Sequence, residues 1–533
     1  MDVDCIPYKE TGYFSRLILD YLEQNQKLKP FYGRFPGLEN LKEQIQEKAK
    51  SFPLENRAIL VKALENQYQG FSTSELTKQH VASLKDTNTF TIVTGHQLNL
   101  FTGPLYFLYK IIATINLAET LKKENPEYNF VPIYWMATED HDFDEINFFN
   151  FKGKKIQWNR QASGAVGRLQ TDGLSDVYEV IDAQMGSLER AQQLKELFKT
   201  AYLEQDNLTN ATRYLVNTLF KQYGLVIVDG DDADLKKLLV PFMKADIIDQ
   251  KPHAIVSETI NNLNEACEDY KIQVNPREIN YFYLKDNLRE RIVQRGDDYY
   301  VNDSDIKFTK AALLQEMEVH PERFSPNVIA RPLYQEVILP NLCYIGGGGE
   351  LAYWLQLKQY FKALQVPFPV LLLRNSVLMI TSKEEKKLKQ MDLTIEDLFL
   401  KQSRLINKKV RKISNIDIDF TPQKNTLEAQ FKALYELAKQ TDASFLGAVK
   451  AQEVKQKKGL DNLEKRLLKA QKRKLKDQII RLTELQNQLF PNYSLQERQL
   501  NFSEMYLEYG TELIPILKEK LNPLCSEFLV LRD

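Results

Sequence analysis

Val93-Thr94-Gly95-His96-Gln97-Leu98-Asn99-Leu100-Phe101-Thr102-Gly103-Pro104-Leu105-Tyr106 is the stretch on which the fold turns. It ends a β-prone apolar run, Thr89–Thr94, and opens a helical pattern, Pro104–Leu121. The connection is rich in glycine and polar groups, and Pro104 suits a first helical turn, where no N–H is needed. Such strand–turn–helix units sit at the carboxyl edge of open α/β sheets. Their free backbone N–H groups and the helix dipole favour a phosphate or carboxylate there.

Four further runs have the same buried-strand character: Phe130–Met136, Leu225–Asp229, Leu342–Ile345 and Pro369–Leu373. Helical patterns follow several of them, notably Leu351–Leu364, which predicts an α/β fold with a doubly wound, mostly parallel sheet. The gaps between the second, third and fourth runs are too long for simple crossovers and imply insertions. The chain therefore divides into core (1–150), an inserted connecting subdomain (151–210), core (211–251), a second insert (252–324) and the last core strands (325–380). Phe151–Ile156 reads as hairpin material in the first insert, and Tyr281–Leu284 and Arg291–Gln294 as short strands in the second.

Beyond Ser376 the texture becomes Lys/Gln/Leu-rich helix. Leu460, Leu463, Leu467 and Ala470 recur at three-four spacing, continued by Leu475, Ile479, Leu482, Leu485 and Leu489, with an upstream partner in Leu427, Phe431, Leu434 and Ala438. This predicts an α-helical coiled-coil domain over 381–495, a hairpin broken near Gly459 or earlier. The spacing leaves open whether the seam closes within one chain or between two. Residues 496–533 regain apolar character and return to the core.

With 533 residues, 43% hydrophobic, the chain has ample material for several packed domains. Its net charge of −1 gives no global attraction for nucleic acid, although residues 401–480 carry 20 Lys/Arg against 9 Asp/Glu. No run approaches the roughly 18 to 20 apolar residues that span a bilayer, and the acidic start Met1-Asp2-Val3-Asp4-Cys5 lacks a signal-peptide pattern, so a cytoplasmic location is expected. Cys5, Cys267, Cys343 and Cys525 are scattered, which indicates neither a disulfide framework nor a cysteine-based zinc site.

Two further constellations carry chemistry. Thr138-Glu139-Asp140-His141-Asp142-Phe143-Asp144-Glu145, at the end of the second strand, suits an ammonium, Mg²⁺ or a His–carboxylate base. Gly346-Gly347-Gly348-Gly349-Glu350, after the fourth, lets backbone approach a ligand, but it is neither a Walker A loop nor a dinucleotide fingerprint. Arg331 and Arg374, near the same edge, are candidate carboxylate or phosphate clamps.

Taken together, Thr94-Gly95-His96-Gln97 with Leu100–Tyr106, Glu139-Asp140-His141-Asp142 with Asp144–Asn147, and Tyr344–Gly347 with Gly349-Glu350 and Ala352–Trp354 resemble the bacillithiol synthase (BshC) family. Arg331-Pro332 and Gln496-Glu497-Arg498 fit as well. The resemblance implies a Rossmann-like core similar to class I aminoacyl-tRNA synthetases and nucleotidyltransferases, with connecting inserts and a coiled-coil dimerisation domain. It also implies a ligase adding cysteine to the amine of glucosaminyl-malate, with ATP as the expected energy source and Mg²⁺ a candidate companion. On this reading His141, Asp140 and Asp142 are catalytic, with His141 the base. Gly95, His96, Gln97, Asn99, Thr102, Gly103, Glu139, Arg331, Gly346, Gly347, Gly348, Gly349, Glu350 and Arg374 bind substrate or nucleotide, and no residue is assigned to a resident metal. The expected assembly is a homodimer through the coiled coil. The alternatives are an RNA-binding synthetase-like protein gripping phosphates with its basic arm, and a metal-dependent amidohydrolase built on Glu139–Glu145.

Overall fold

Five strands form the central sheet in the computed structural model, which describes residues 1–533: β1 (Thr89–His96), β2 (Asn129–Met136), β3 (Val226–Asp229), β4 (Asn341–Gly346) and β5 (Val370–Leu373). All four pairings are parallel, and the spatial order is β3–β2–β1–β4–β5. The chain winds outward from β1 to β3, then returns to lay β4 against the other side of β1. That reversal opens a crevice at the carboxyl ends of β1 and β4, where ligands of doubly wound sheets bind. The strands are apolar along their whole length because helices cover both faces: β1 and β4 are buried throughout. Ile92, Phe130, Ile345 and Val370 join Leu117 and Leu121 in the core.

Helix α1 (Tyr106–Glu124) is buried almost all round from Phe107 to Ala118. It begins two residues later than the sequence suggests, because Leu105 N–H donates to Leu500 O (2.7 Å) and Pro104 bridges to Asn501. The predicted helix Leu351–Leu364 is two pieces, Gly348–Trp354 and Lys358–Ala363. Near their junction the Gln356 amide bonds the backbone of Gln273 and Val274.

The first insert opens with the hairpin Phe148–Phe151/Lys154–Gln157, which starts three residues before the expected position and turns on Lys152-Gly153 at φ 48° and 75°. The second carries an antiparallel sheet of five short strands, including Tyr281–Lys285 and Leu288–Arg295.

Residues 379–493 form a separate helical unit. Thr421–Ala438 packs antiparallel on Ala443–Lys474 through Leu427, Phe431, Tyr435, Ala438 and Val449. The hairpin turns at Lys439–Asp442, where the Asp442 side chain caps Phe445 N–H (2.9 Å); Gly459 lies inside the long helix and breaks nothing. A single helical glycine costs about 1 kcal/mol, too little to interrupt 32 residues of otherwise good helix former. Lys424 pairs with Asp461 and Glu464, and Lys457 with Glu428 and Glu453, so part of the basic charge is answered within the unit. No helix is long and apolar enough to cross a membrane.

The turn after β1 is held from far along the chain. Phe101, Thr102 and Gly103 take φ values of 49°, 67° and 65°. Two consecutive non-glycine residues in the left-handed region are costly and persist only where surroundings impose them. Here the buried Asn501 amide donates to both Phe101 O and Gly103 O at 2.7 Å. The Tyr202 hydroxyl accepts from Phe101 N–H at 2.8 Å. Asn501→Ala strands two buried carbonyls and should destabilise the core by about 2–4 kcal/mol in urea unfolding. A change within about 0.5 kcal/mol, the range of a neutral surface substitution, would show that the turn holds itself.

Candidate active site

At the reversal point β1 and β4 are tied by Thr94 Oγ1 donating to Ile345 O (2.7 Å). Below them, Lys110 of α1 donates to Gly95 O (2.7 Å) and pairs with Glu350 Oε2 at 2.6 Å. Glu350 also accepts from the Tyr344 hydroxyl and from Gly347 N–H, both at 2.7 Å. Burial pushes the Glu350 carboxyl up, but Lys110 and these donors outweigh it and hold it below its ordinary value. Burial lowers the Lys110 ammonium against the pull of Glu350. His96 is buried beside this pair, its Nε2 lacking a hydrogen-bond partner. Burial first, then the nearby Lys110 charge, push its pKa down to about 3, so the imidazole is neutral.

The opposite wall follows β2. Gln97 Nε2 bridges Asp140 Oδ2 and Glu145 Oε2, both at 3.0 Å, and Asp140 Oδ1 accepts His141 N–H at 2.8 Å. Burial would raise the Asp140 carboxyl, yet hydrogen bonds from His141 and Gln97 and the nearby Arg289 charge keep it well below the carboxylate range. Arg289, from the second insert, lies 4.1 Å over the Phe282 ring and brings Nη1 to 2.6 Å from His141 Nδ1. A guanidinium has donors only, so Nδ1 offers its lone pair and the neutral ring carries its proton on Nε2, 3.8 Å from Asp142 Oδ1. Asp140, His141 and Asp142 are close enough to surround an ion. The adjacent Arg289 cation and the hydrogen bonds already made by both Asp140 oxygens make them a poor cage for Mg²⁺.

Glu139 is buried on Lys236, which also reaches Asp231 at 3.3 Å; Asp231 in turn receives Arg168 through two nitrogens, at 2.8 and 3.0 Å. Burial and Asp231 push the Glu139 carboxyl up against the opposing pull of Lys236. Facing this acidic wall, Arg374 donates to Glu497 Oε1 (2.7 Å) and stacks 4.5 Å over Tyr106, leaving Nε buried without a partner. Arg331 lies between Trp135 and Tyr344 and bonds Gln335 through Nη1 (3.2 Å), while its Nη2 is likewise unpaired.

These walls enclose a cavity of about 740 Å³, lined by six basic side chains and four carboxylates. It gathers Gly95, His96, Gln97, Glu139, Asp140, His141, Asp142, Arg331, Gly347, Gly348, Gly349, Glu350 and Arg374. Asn99, Thr102, Gly103 and Gly346, expected at the ligand, stand behind the wall. Asn99 donates to Glu145 O (3.2 Å), and a Cβ on Gly103 would lie 2.6 Å from Asn99 Cβ, so this turn is closed on itself. Gly346 leaves room for Leu351 and Tyr344, which a Cβ would meet at 2.9 Å. Sequence reasoning missed Lys110, Arg277 and Arg289 on the wall and Lys236 behind it, and gave Arg498 no role although its Gln496-Glu497-Arg498 segment stood out. A lysine in the middle of an apolar helix was a readable signal for Lys110. Nothing local marks Arg289.

A parallel sheet of order 3-2-1-4-5 with a polar cleft at its reversal point, followed by a helical arm, defines a Rossmann-like α/β protein with a coiled-coil domain. The family comparisons agree. Residues 1–375 match the profile described as "Bacillithiol biosynthesis BshC, N-terminal Rossmann-like domain", and residues 377–532 match its "C-terminal coiled-coil domain". The chain belongs to the BshC family. It is 59% identical over the full length of both chains to a protein of Flavobacterium johnsoniae. It is 37% identical to one of Cytophaga hutchinsonii, covering 98% of this chain and 97% of that one. Identity to a Bacillus cereus protein is 28%, covering 95% of each chain. All three are named "Putative cysteine ligase BshC".

The buried His96 makes a testable pH signature. Folded, it stays neutral down to about pH 3, whereas its ordinary value is 6.5. The unfolded chain therefore binds the extra proton between these values, and the contribution of His96 is complete above pH 6.5 and lost as pH falls toward 3. His96→Gln should melt with a shallower acid-side decline than the wild type over this window. Parallel melting curves would mean that the native imidazole is protonated.

Proposed function

We propose that the chain is a cysteine ligase of bacillithiol biosynthesis, joining the cysteine carboxyl group to the amine of glucosaminyl-malate. The observation that carries this reading is the polarity of the cleft. Arg331 and Arg374, each with a buried guanidinium nitrogen that lacks a hydrogen-bond partner, line the same cavity as Asp140 and Asp142, a complement to substrates that bring both carboxylates and amines. The names of the relatives point the same way.

A cysteine carboxylate does not react with an amine until one oxygen becomes a leaving group, so ATP serves as the activating co-substrate. Its anionic groups and the malate carboxylates are the ligands suited to Arg331, Arg374 and the Gly347–Gly349 backbone. Asp140 and Asp142 attract the ammonium groups. The attacking amine must shed a proton, and His141 is the acceptor on this proposal. In the resting site its Nδ1 lone pair is held by Arg289. An arriving anion that draws Arg289 away frees that lone pair, so binding and base activation are coupled. Positioning two substrates in one water-poor cleft supplies much of the remaining acceleration.

Mass spectrometry of the chain incubated with cysteine, glucosaminyl-malate and ATP should show the cysteine adduct, and its loss without ATP. His141→Gln should slow product formation by about 10²- to 10⁴-fold at an unchanged melting temperature. A wild-type protein that forms no adduct with ATP present ends this reading; near-normal turnover of the variant removes His141 as the base.

We also propose that two chains pair through the helical arm. Leu437, Val454 and Leu463 are 57%, 54% and 53% exposed, so the apolar repeat is not closed within one chain. Deleting residues 383–491 should convert the dimer to a monomer in light scattering while the core stays folded. A dimer that survives the deletion places the interface elsewhere.

A further inference from the structure

The two ends of the chain meet in a small three-stranded sheet outside the cleft, with Asp2–Pro7 beside Glu527–Arg532 and Val377–Ile380 beyond. This pairing gathers two of the four scattered cysteines. Cys5 Sγ, Cys525 Sγ and a carboxylate oxygen of Glu527 lie within 4.8 Å of one another. The loop that presents Cys525 is fixed: Cys525 N–H donates to Asn522 O (3.1 Å), Leu524 N–H to Asn522 Oδ1 (3.0 Å), and the Asn375 amide to Asn522 O (2.8 Å). None of the three residues lines the candidate active site.

We infer that Cys5, Cys525 and Glu527 form a metal site for Zn²⁺ or a similar thiolate-binding dication, pinning the N-terminal strand to the C-terminal one. In a tetrahedral zinc site, Zn–S bonds of about 2.3 Å set the two sulfurs about 3.8 Å apart. Two sulfurs and one carboxylate oxygen leave the fourth position to water. Binding replaces the two thiol protons: two Cys–SH and Zn²⁺ give the dithiolate complex and two H⁺.

The surroundings favour a cation. Cys5 is exposed and Cys525 half-buried, and the carboxylates of Glu527 and Asp4 lie near the Cys5 thiol. The same carboxylates attract a dication.

The test uses the reduced, full-length chain after chelator treatment. Co²⁺ titration should saturate at one equivalent, with thiolate-to-metal charge-transfer absorption and the visible bands of a tetrahedral site, and Zn²⁺ should displace it. Cys5→Ser and Cys525→Ser should each abolish the charge-transfer band, and Glu527→Gln should weaken Zn²⁺ binding by about 10- to 100-fold. Zn²⁺ should raise the melting temperature of the wild type but of neither serine variant, while all of them melt alike without metal and so report on the site rather than on folding. Absence of the band in the wild type, its persistence in both serine variants, or a Cys5–Cys525 disulfide forming without metal uptake would overturn the assignment.

Discussion

Lys110 is the only charged residue of α1 between Tyr106 and Ala118, and it is buried directly under the point where the sheet reverses. Taking an ammonium and a carboxylate out of water costs several kcal/mol per ion and is tolerated only when the pair is well made and every remaining lone pair is used. Glu350 meets that condition: Lys110, the Tyr344 hydroxyl and Gly347 N–H all converge on it, and Lys110 in turn holds Gly95 O. One ion pair thus joins the end of β1, the end of β4, the glycine loop and the first helix. His96 is neutral beside it, chiefly because it is buried, with the Lys110 charge adding to the effect.

The rest of the cleft is arranged so that opposite charges sit near one another without cancelling. Arg289 sits on His141 rather than on a carboxylate, which fixes the imidazole tautomer. Arg374 satisfies Glu497 and still leaves Nε unpaired, and Arg331 keeps Nη2 unpaired beside it. Buried guanidinium nitrogens without partners are costly in a finished fold. Their concentration in one cavity is where a ligand would repay that cost.

Much of the architecture was legible because it rests on local pattern. The five strands appear as β-prone apolar runs bounded by turns, with ends that differ from the observed ones by a residue or two, and the long gaps between them hold the hairpin of residues 148–157 and the antiparallel strands of residues 281–326. The glycine loop and the Glu139–Asp142 cluster stand out as polar breaks immediately after buried strands. One misreading is tertiary in origin. Leu351–Leu364 is uniformly helical in pattern, yet it divides where Gln356 meets backbone from residues 273–274. The break expected near Gly459 or earlier lies at the earlier place, between Ala438 and Ala443, where the local Asp442 cap starts the second helix.

By itself, then, the amino-acid order determined which segments are strands, which helices, and which turns carry ionisable groups, because propensity and periodicity act over a few residues. Only the tertiary structure decided which of those groups meet. Arg289 reaches His141 across 148 positions, Glu497 reaches Arg374 across 123, and Asn501 clamps a strained turn 400 residues upstream. Cys5 and Cys525 read as unrelated thiols until strand pairing sets them side by side. Such contacts leave no spacing in the chain, since their distance is fixed by how the sheet is ordered and where the inserts fold back, and not by separation along the backbone.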